Sequence, residues 1–226
     1  MKNTSFILRS WILVLVLIMG SMAGLEAASS KLIESNAHGQ IDWEKGTLRA
    51  DSAQHMDGLI QSLRVDTSTT IGELMLFDPG LVEELPQGKD VDLYGDDGIA
   101  TTVFGKVVDP EAQALATPDA KAPDGVIVDA TLCDFFPCLI PSWMGSTGEV
   151  IFAPEQLYSL TTCAVRYVGS LQAAKLLLPN AMIVRAISTG GAFKGSLGFS
   201  AADSDMLKEL EAKTQCIRRG KVIIIL

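Results

Sequence analysis

Gly125-Val126-Ile127-Val128-Asp129-Ala130 decides the fold. The run is a short apolar stretch and reads as a buried strand. Two later runs have the same character: Ala181-Met182-Ile183-Val184-Arg185-Ala186-Ile187, and the closing Val222-Ile223-Ile224-Ile225-Leu226. Strands this apolar must be covered, either at the centre of a sheet or by pairing with another chain. Cys163-Ala164-Val165-Arg166-Tyr167-Val168 is strand-like, and Leu197-Gly198-Phe199 is a short strand. Residues 139–151 contain Pro141, Gly145, Ser146, Thr147 and Gly148 and read as turn-rich, with Glu149-Val150-Ile151-Phe152 extended. Between the strands, residues 170–178 place Leu171, Ala174, Leu177 and Leu178 on one helical side, with Pro179 as the stop. Ser200-Ala201-Ala202-Asp203 opens a second helix that runs to about Lys213. Helices among at least five strands give an α+β class.

The first half follows the same grammar. Gln40-Ile41-Asp42-Trp43 and Thr47-Leu48-Arg49-Ala50 flank a turn at Gly46 and predict a hairpin. Residues 52–63 carry Met56, Leu59, Ile60 and Leu63 at helical spacing. Ser68-Thr69-Thr70 starts a further helix that Asp78-Pro79-Gly80 ends, and a short helix fits residues 81–85 before Pro86. Asp90-Val91-Asp92-Leu93-Tyr94, the turn Gly95-Asp96-Asp97-Gly98 and residues 99–108 predict a second hairpin. Residues 109–124 hold Pro110, Pro118 and Pro123 among Ala, Asp and Lys, and read as a linker. The expected organisation is a signal peptide (1–28), an N-terminal α+β module (29–108), a Pro/Ala-rich linker (109–124) and a C-terminal α+β domain (125–226).

The signal peptide rests on Lys2 and Arg9, the apolar core Trp11-Ile12-Leu13-Val14-Leu15-Val16-Leu17-Ile18-Met19, and the small residues Gly20, Ser21, Ala23, Ala27 and Ala28. That core is shorter than the roughly 20 residues of a membrane span. An exported protein, periplasmic or peripheral to the outer membrane and without an integral span after cleavage, is therefore expected. At 48% hydrophobic and 20% charged, with mean hydropathy +0.29, the 226-residue chain is not disordered. Its net charge of −9 argues against a nucleic-acid partner. Export brings Cys133, Cys138, Cys163 and Cys216 into an oxidising compartment. Either Cys133 pairs with Cys138 and Cys163 with Cys216, or some remain buried thiols; spacing alone leaves both open.

No chemistry-bearing motif emerges. His38 and His55 stand without a nucleophile motif beside them. Gly145-Ser146-Thr147-Gly148 and Thr189-Gly190-Gly191 match no phosphate loop and read as turns. Asp90, Asp92, Asp96 and Asp97 lack the spacing of a calcium loop, and Arg218, Arg219 and Lys221 read as a solvated entry to the last strand. Catalytic residues, metal and cofactor are accordingly expected to be none.

Several pieces, in order, carry a resemblance: Ile41-Asp42-Trp43-Glu44-Lys45-Gly46, Leu63-Arg64-Val65-Asp66-Thr67-Ser68-Thr69-Thr70-Ile71, the strand at 125–130, and Gly148-Glu149-Val150-Ile151-Phe152. Arg166-Tyr167-Val168, residues 180–186, Gly190, Phe199-Ser200-Ala201-Ala202-Asp203 and the closing residues 216–226 continue it. Together they resemble the exported family that includes the flagellar assembly protein FlgP. Many members carry a lipid-anchoring Cys after the leader, and this chain has none there. The resemblance implies a non-enzymatic structural protein that multimerises in the periplasm, with itself and flagellar or envelope proteins as partners. The alternative is a monomeric binding module for an envelope glycan or protein. In that case Trp43, Trp143 and Tyr167 are the candidate contacts, unless they are core residues. An exported carboxylate hydrolase is the third reading.

Overall fold

The computed structural model describes residues 31–95, 97–104, 122–152 and 165–226. The expected signal peptide (1–28), most of the expected linker (109–124) and Cys163 lie outside the described residues. The class is α+β, with two sheets.

The first sheet is antiparallel, in the order β1 (Ile33–Ser35), β2 (Gly39–Asp42), β3 (Thr47–Ala50), β4 (Asp90–Asp92). β2 and β3 are the expected hairpin, with Asp42 opposite Thr47. Gly46 closes its turn at φ +69°, a conformation that a Cβ would strain. β1 was not legible in the sequence. Across this sheet lies α1 (Ala53–Ser62), whose Met56, Leu59 and Ile60 are buried and whose N-terminus is capped by Ser52 Oγ accepting from the His55 N–H. α2 (Ile71–Phe77) opens on a capping box. Thr70 Oγ1 accepts from the Glu73 N–H at 3.3 Å, and the Thr70 N–H donates to the Glu73 carboxylate at 2.7 Å. α3 (Leu81–Glu84) follows the Asp78-Pro79-Gly80 turn.

The second expected hairpin is corrected. β4 pairs with β3, and its supposed partner strand is instead α4 (Ile99–Phe104). The Ala100 N–H donates to the Leu93 carbonyl, and Thr101 Oγ1 to that of Gly95, so the turn winds on as a helix despite its β-branched residues.

The second sheet is mixed. Its strands are β5 (Gly125–Asp129), β6 (Ser142–Met144), β7 (Val150–Phe152), β8 (Arg166–Val168), β9 (Ala181–Gly190), β10 (Ser196–Phe199) and β11 (Val222–Ile225). Their spatial order is β7-β6-β10-β9-β5-β11-β8. β8, β11, β5 and β9 run parallel; β10 is antiparallel to β9 and parallel to β6. The closing strand β11 thus lies between β5 and β8, bonded on both sides, which answers the choice between a central strand and one that pairs elsewhere. β6 emerged from the turn-rich stretch through its non-local pairing with β10.

Both faces of β5 are buried. Val126 and Val128 join the main core with Val184, Val222 and Ile224. Ile127 faces the other way, with Val168, Ala174, Leu178, Ile223 and Ile225, under α5 (Leu171–Leu177). α6 (Ala201–Thr214) is capped by Ser200 and lays Leu207 and Leu210 on the core.

The two sheets share one core, in which Trp43, Leu48 and Leu93 pack in the same cluster as Trp143, Tyr167 and Phe199. Backbone bonds stitch the halves together. The Leu139 N–H donates to the Arg64 carbonyl (3.0 Å), that of Ile140 to Val65 (2.7 Å), and that of Phe193 to Thr67 (2.9 Å). At Gly191 a Cβ would lie 2.3 Å from Thr67 Cβ, so this approach needs glycine.

One edge tie gives a pH-dependent expectation. Hydrogen bonds from Thr147 Oγ1 (2.5 Å) and Lys208 Nζ of α6 (3.0 Å) hold the Glu149 carboxyl down to about 2, against an ordinary 4.5. A depressed pKa contributes stability that is present above the ordinary value and lost as pH falls through the depressed one. Between pH 4.5 and 2 the wild-type thermal midpoint is therefore expected to fall more steeply than that of Glu149→Gln, measured by circular dichroism. Parallel slopes would show that the tie contributes nothing.

Candidate functional site

The aromatic residues singled out as contacts are core residues. Trp43, Trp143 and Tyr167 are 1%, 0% and 0% exposed. The Trp43 ring meets Tyr167 edge-on at 5.7 Å, across the junction of the two halves, and its Nε1 donates to Glu34 at 2.7 Å. Trp143 sits between Phe152 (5.6 Å) and Phe199 (5.4 Å). Tyr167 Oη donates to the Cys138 carbonyl at 2.8 Å and accepts from the Cys138 N–H at 3.3 Å. Large rings at a junction supply the area that two sheets need to share a core, and none of the three presents a face to a ligand.

The described cysteines are free thiols: Cys133, Cys138 and Cys216 are all buried, and the Cys133–Cys138 pairing is not formed. Cys133 Sγ donates to the Ala186 carbonyl at 3.3 Å, and Cys138 Sγ to that of Gly195 at 3.7 Å. Burial pushes Cys138 up to about 12 and Cys216 up to about 11, so neither is a thiolate at neutral pH. Labelling with a thiol reagent is expected to be slow at all three positions in the native protein and complete in denaturant. Failure to label in denaturant would mean that they are oxidised.

His38 and His55 meet edge-on at 6.1 Å near the surface, and His55 pairs with Asp51. Among the described residues no group of three His, Cys, Asp or Glu side chains is placed to hold a metal ion. Asp90 pairs with Arg49 on the outer strand β4, and Asp96 lies outside the described residues.

What stands out is apolar surface. α2 buries Ile71 but ends on Leu76 and Phe77, 79% and 87% exposed. Val82 on α3 is 45% exposed. Beside them a groove of about 280 Å³ is lined by Ile60, Met75, Val82 and Leu85, with Asp57, Gln61 and Gln87. A helix of seven residues with Ile71, Leu74, Met75, Leu76 and Phe77 is apolar nearly all round and cannot bury every side. The crowding of five apolar residues into seven positions is the sequence signal for this exposed end.

A further apolar surface belongs to the mixed sheet. A second groove of about 280 Å³ is lined by Leu177, Leu178, Val222 and Ile223 with Arg166, Gly220 and Lys221. On the adjoining helix Leu176 is 80% exposed and Leu177 50%. On β9, Ile183 and Ile187 are 43% and 60% exposed, because α5 covers only part of this face. Both grooves fall just below the roughly 300–1,000 Å³ of small-molecule pockets and suit one or two side chains.

Residues 125–226 carry a further finding. They match the family described as Treponema pallidum Tp0624, second domain. The match covers 102 of the 226 residues and takes in the whole mixed sheet with α5 and α6. It lends no support to the FlgP resemblance expected from the sequence, and the antiparallel sheet lies outside it. No curated protein matches the chain. The Tp0624-like region thus contains the groove at Arg166 and Lys221, while Leu76 and Phe77 belong to the unmatched half. No helix of the described residues is long and apolar enough to cross a membrane.

Proposed function

We propose that this chain is an exported, non-enzymatic structural protein that self-associates in the periplasm or at the outer membrane. The observation that carries this reading is the Leu76-Phe77 pair. Two large apolar side chains stand in solvent at the end of a helix fixed at its start by a capping box. Scattered single apolar residues are ordinary on a surface, but adjacent ones beside an apolar groove mark an interaction site. Export is supported by the leader-like residues 1–28, and a place in flagellar architecture by the FlgP resemblance alone.

Cross-linking in intact cells of the native host tests this reading. A ladder of multiples of the processed chain in the envelope fraction is the expected result. A single band at monomer mass over a range of cross-linker lengths would overturn it.

A further inference from the structure

The two apolar grooves carry opposite charge. From Asp57 to Glu84 the chain has six carboxylates (Asp57, Asp66, Glu73, Asp78, Glu83 and Glu84) and one base. That base, Arg64, is already paired with Glu34 at the junction. The exposed Leu76, Phe77 and Val82 therefore stand within an acidic rim in which Glu73, Asp78, Glu83 and Glu84 are exposed. The groove of the mixed sheet is lined instead by Arg166 and Lys221, both exposed, with Lys175 exposed on α5. None of these three cations has an ion-pair partner among the described residues, whereas Arg185 pairs with Asp129, Lys194 with Asp134 and Lys208 with Glu149.

We propose that the acidic apolar end of α2 and α3 in one copy seats in the basic apolar groove of a second copy, with Phe77 as the anchor and Arg166 and Lys221 facing the carboxylates. The proposal rests on the self-association reading above and names its surfaces. Three features point to a second copy as the occupant. The two surfaces are complementary in charge, so each satisfies what the other lacks. Each offers a cavity sized for one or two side chains, and Phe77 is a single large ring on a fixed helix end. The two surfaces also lie on different parts of the same chain, so the contact is head-to-tail and repeats. Such a contact builds a ring where the rotation closes and a filament where it does not. Acidic surface against acidic surface would instead repel, so a symmetric pairing of the two α2 ends is disfavoured. Flanking charge pairs should also make assembly weaken with added salt, since the screening length falls from about 10 Å at 0.1 M to about 3 Å at 1 M.

Mixing two variants tests this on the exported, processed chain. Phe77→Asp removes the anchor, and Lys221→Glu reverses the groove. Both positions are exposed, so unchanged circular dichroism and thermal midpoint are expected. Leu76→Asp and Leu177→Ser serve as second variants for the same two surfaces. Each variant alone should stay monomeric by light scattering at concentrations where the wild type assembles, a loss of at least about tenfold in affinity. Mixed in equal amounts, they should form a heterodimer and nothing larger, because Lys221→Glu retains the anchor and Phe77→Asp retains the groove.

Other outcomes separate the failures. If wild type and all variants assemble alike, self-association stands and this interface is wrong. If the variants are monomeric but the mixture stays monomeric too, the contact is not head-to-tail and the proposal falls. If wild type is monomeric throughout, both readings fall. If it is monomeric and instead sediments with phosphatidylglycerol–phosphatidylethanolamine vesicles in a Phe77-dependent way, the anchor serves a membrane and the proposal is overturned.

Discussion

Replacing Trp43 with Ala is expected to cost about 3–5 kcal/mol of folding stability, the range for deleting a fully buried large aromatic. Total stabilities are about 5–15 kcal/mol, so the variant should be close to unfolding at 37 °C. The size of the effect follows from where the ring sits. Trp43 is 1% exposed, lies edge-on to Tyr167 of the mixed sheet, and donates its indole N–H to Glu34. Its loss opens a cavity where the two halves share their core and removes a partner from a half-buried carboxylate. Urea unfolding followed by circular dichroism measures it. Trp43→Phe keeps a ring against Tyr167 and should fall between wild type and Trp43→Ala. A loss under about 1 kcal/mol for Trp43→Ala would place it among ordinary surface changes and contradict a shared core.

Arg64→Ala is expected to cost about 3 kcal/mol, the lower end for breaking a buried ion pair, because both partners keep some contact with water. The Arg64 and Glu34 side chains are 18% and 27% exposed. One guanidinium makes three connections. It pairs with Glu34, donates from Nε to the Pro137 carbonyl at 2.9 Å, and lies 5.6 Å from the centroid of the Phe136 ring. Removing it leaves the Glu34 carboxylate with Trp43 and the Pro137 carbonyl without its donor. A drop of roughly 6–12 °C in thermal midpoint should follow for a chain of this size. Arg64→Lys should recover little, since an ammonium cannot present the planar fork that reaches the carboxylate and the carbonyl together. Full recovery by Lys would reduce the contact to simple charge pairing.

The fold was legible where the chain had to be apolar on both sides. Val126-Ile127-Val128 reads as a buried strand, since strands covered on both faces lose polar alternation. Val222-Ile223-Ile224 reads only as a strand that must be covered, and it is the pairing with β5 and β8 that makes it central. Helix starts were legible at Thr70 and Ser200, whose side chains do cap the next turn. What failed to show was non-local. β6 exists because Ser142–Met144 pairs with β10, more than fifty residues on, and nothing within the Pro- and Gly-containing stretch predicts that partner. Residues 99–104 have β-branched composition, yet bonds to Leu93 and Gly95 wind them into a helix. The candidate site was the least legible part. Trp43, Trp143 and Tyr167 have the composition of contact residues, and residue type does not say which way a ring points. Leu76 and Phe77 fall inside the expected helix, and its start and stop signals do not say which side a seven-residue helix leaves in solvent.

The mass of the purified, processed wild-type chain across a wide concentration range is the most direct test of self-association. Light scattering on a sizing column should give a discrete species of many chains at high concentration, dissociating as salt is raised. A monomer mass at every concentration and salt level would contradict a structural, self-assembling protein and leave Leu76 and Phe77 to a different partner.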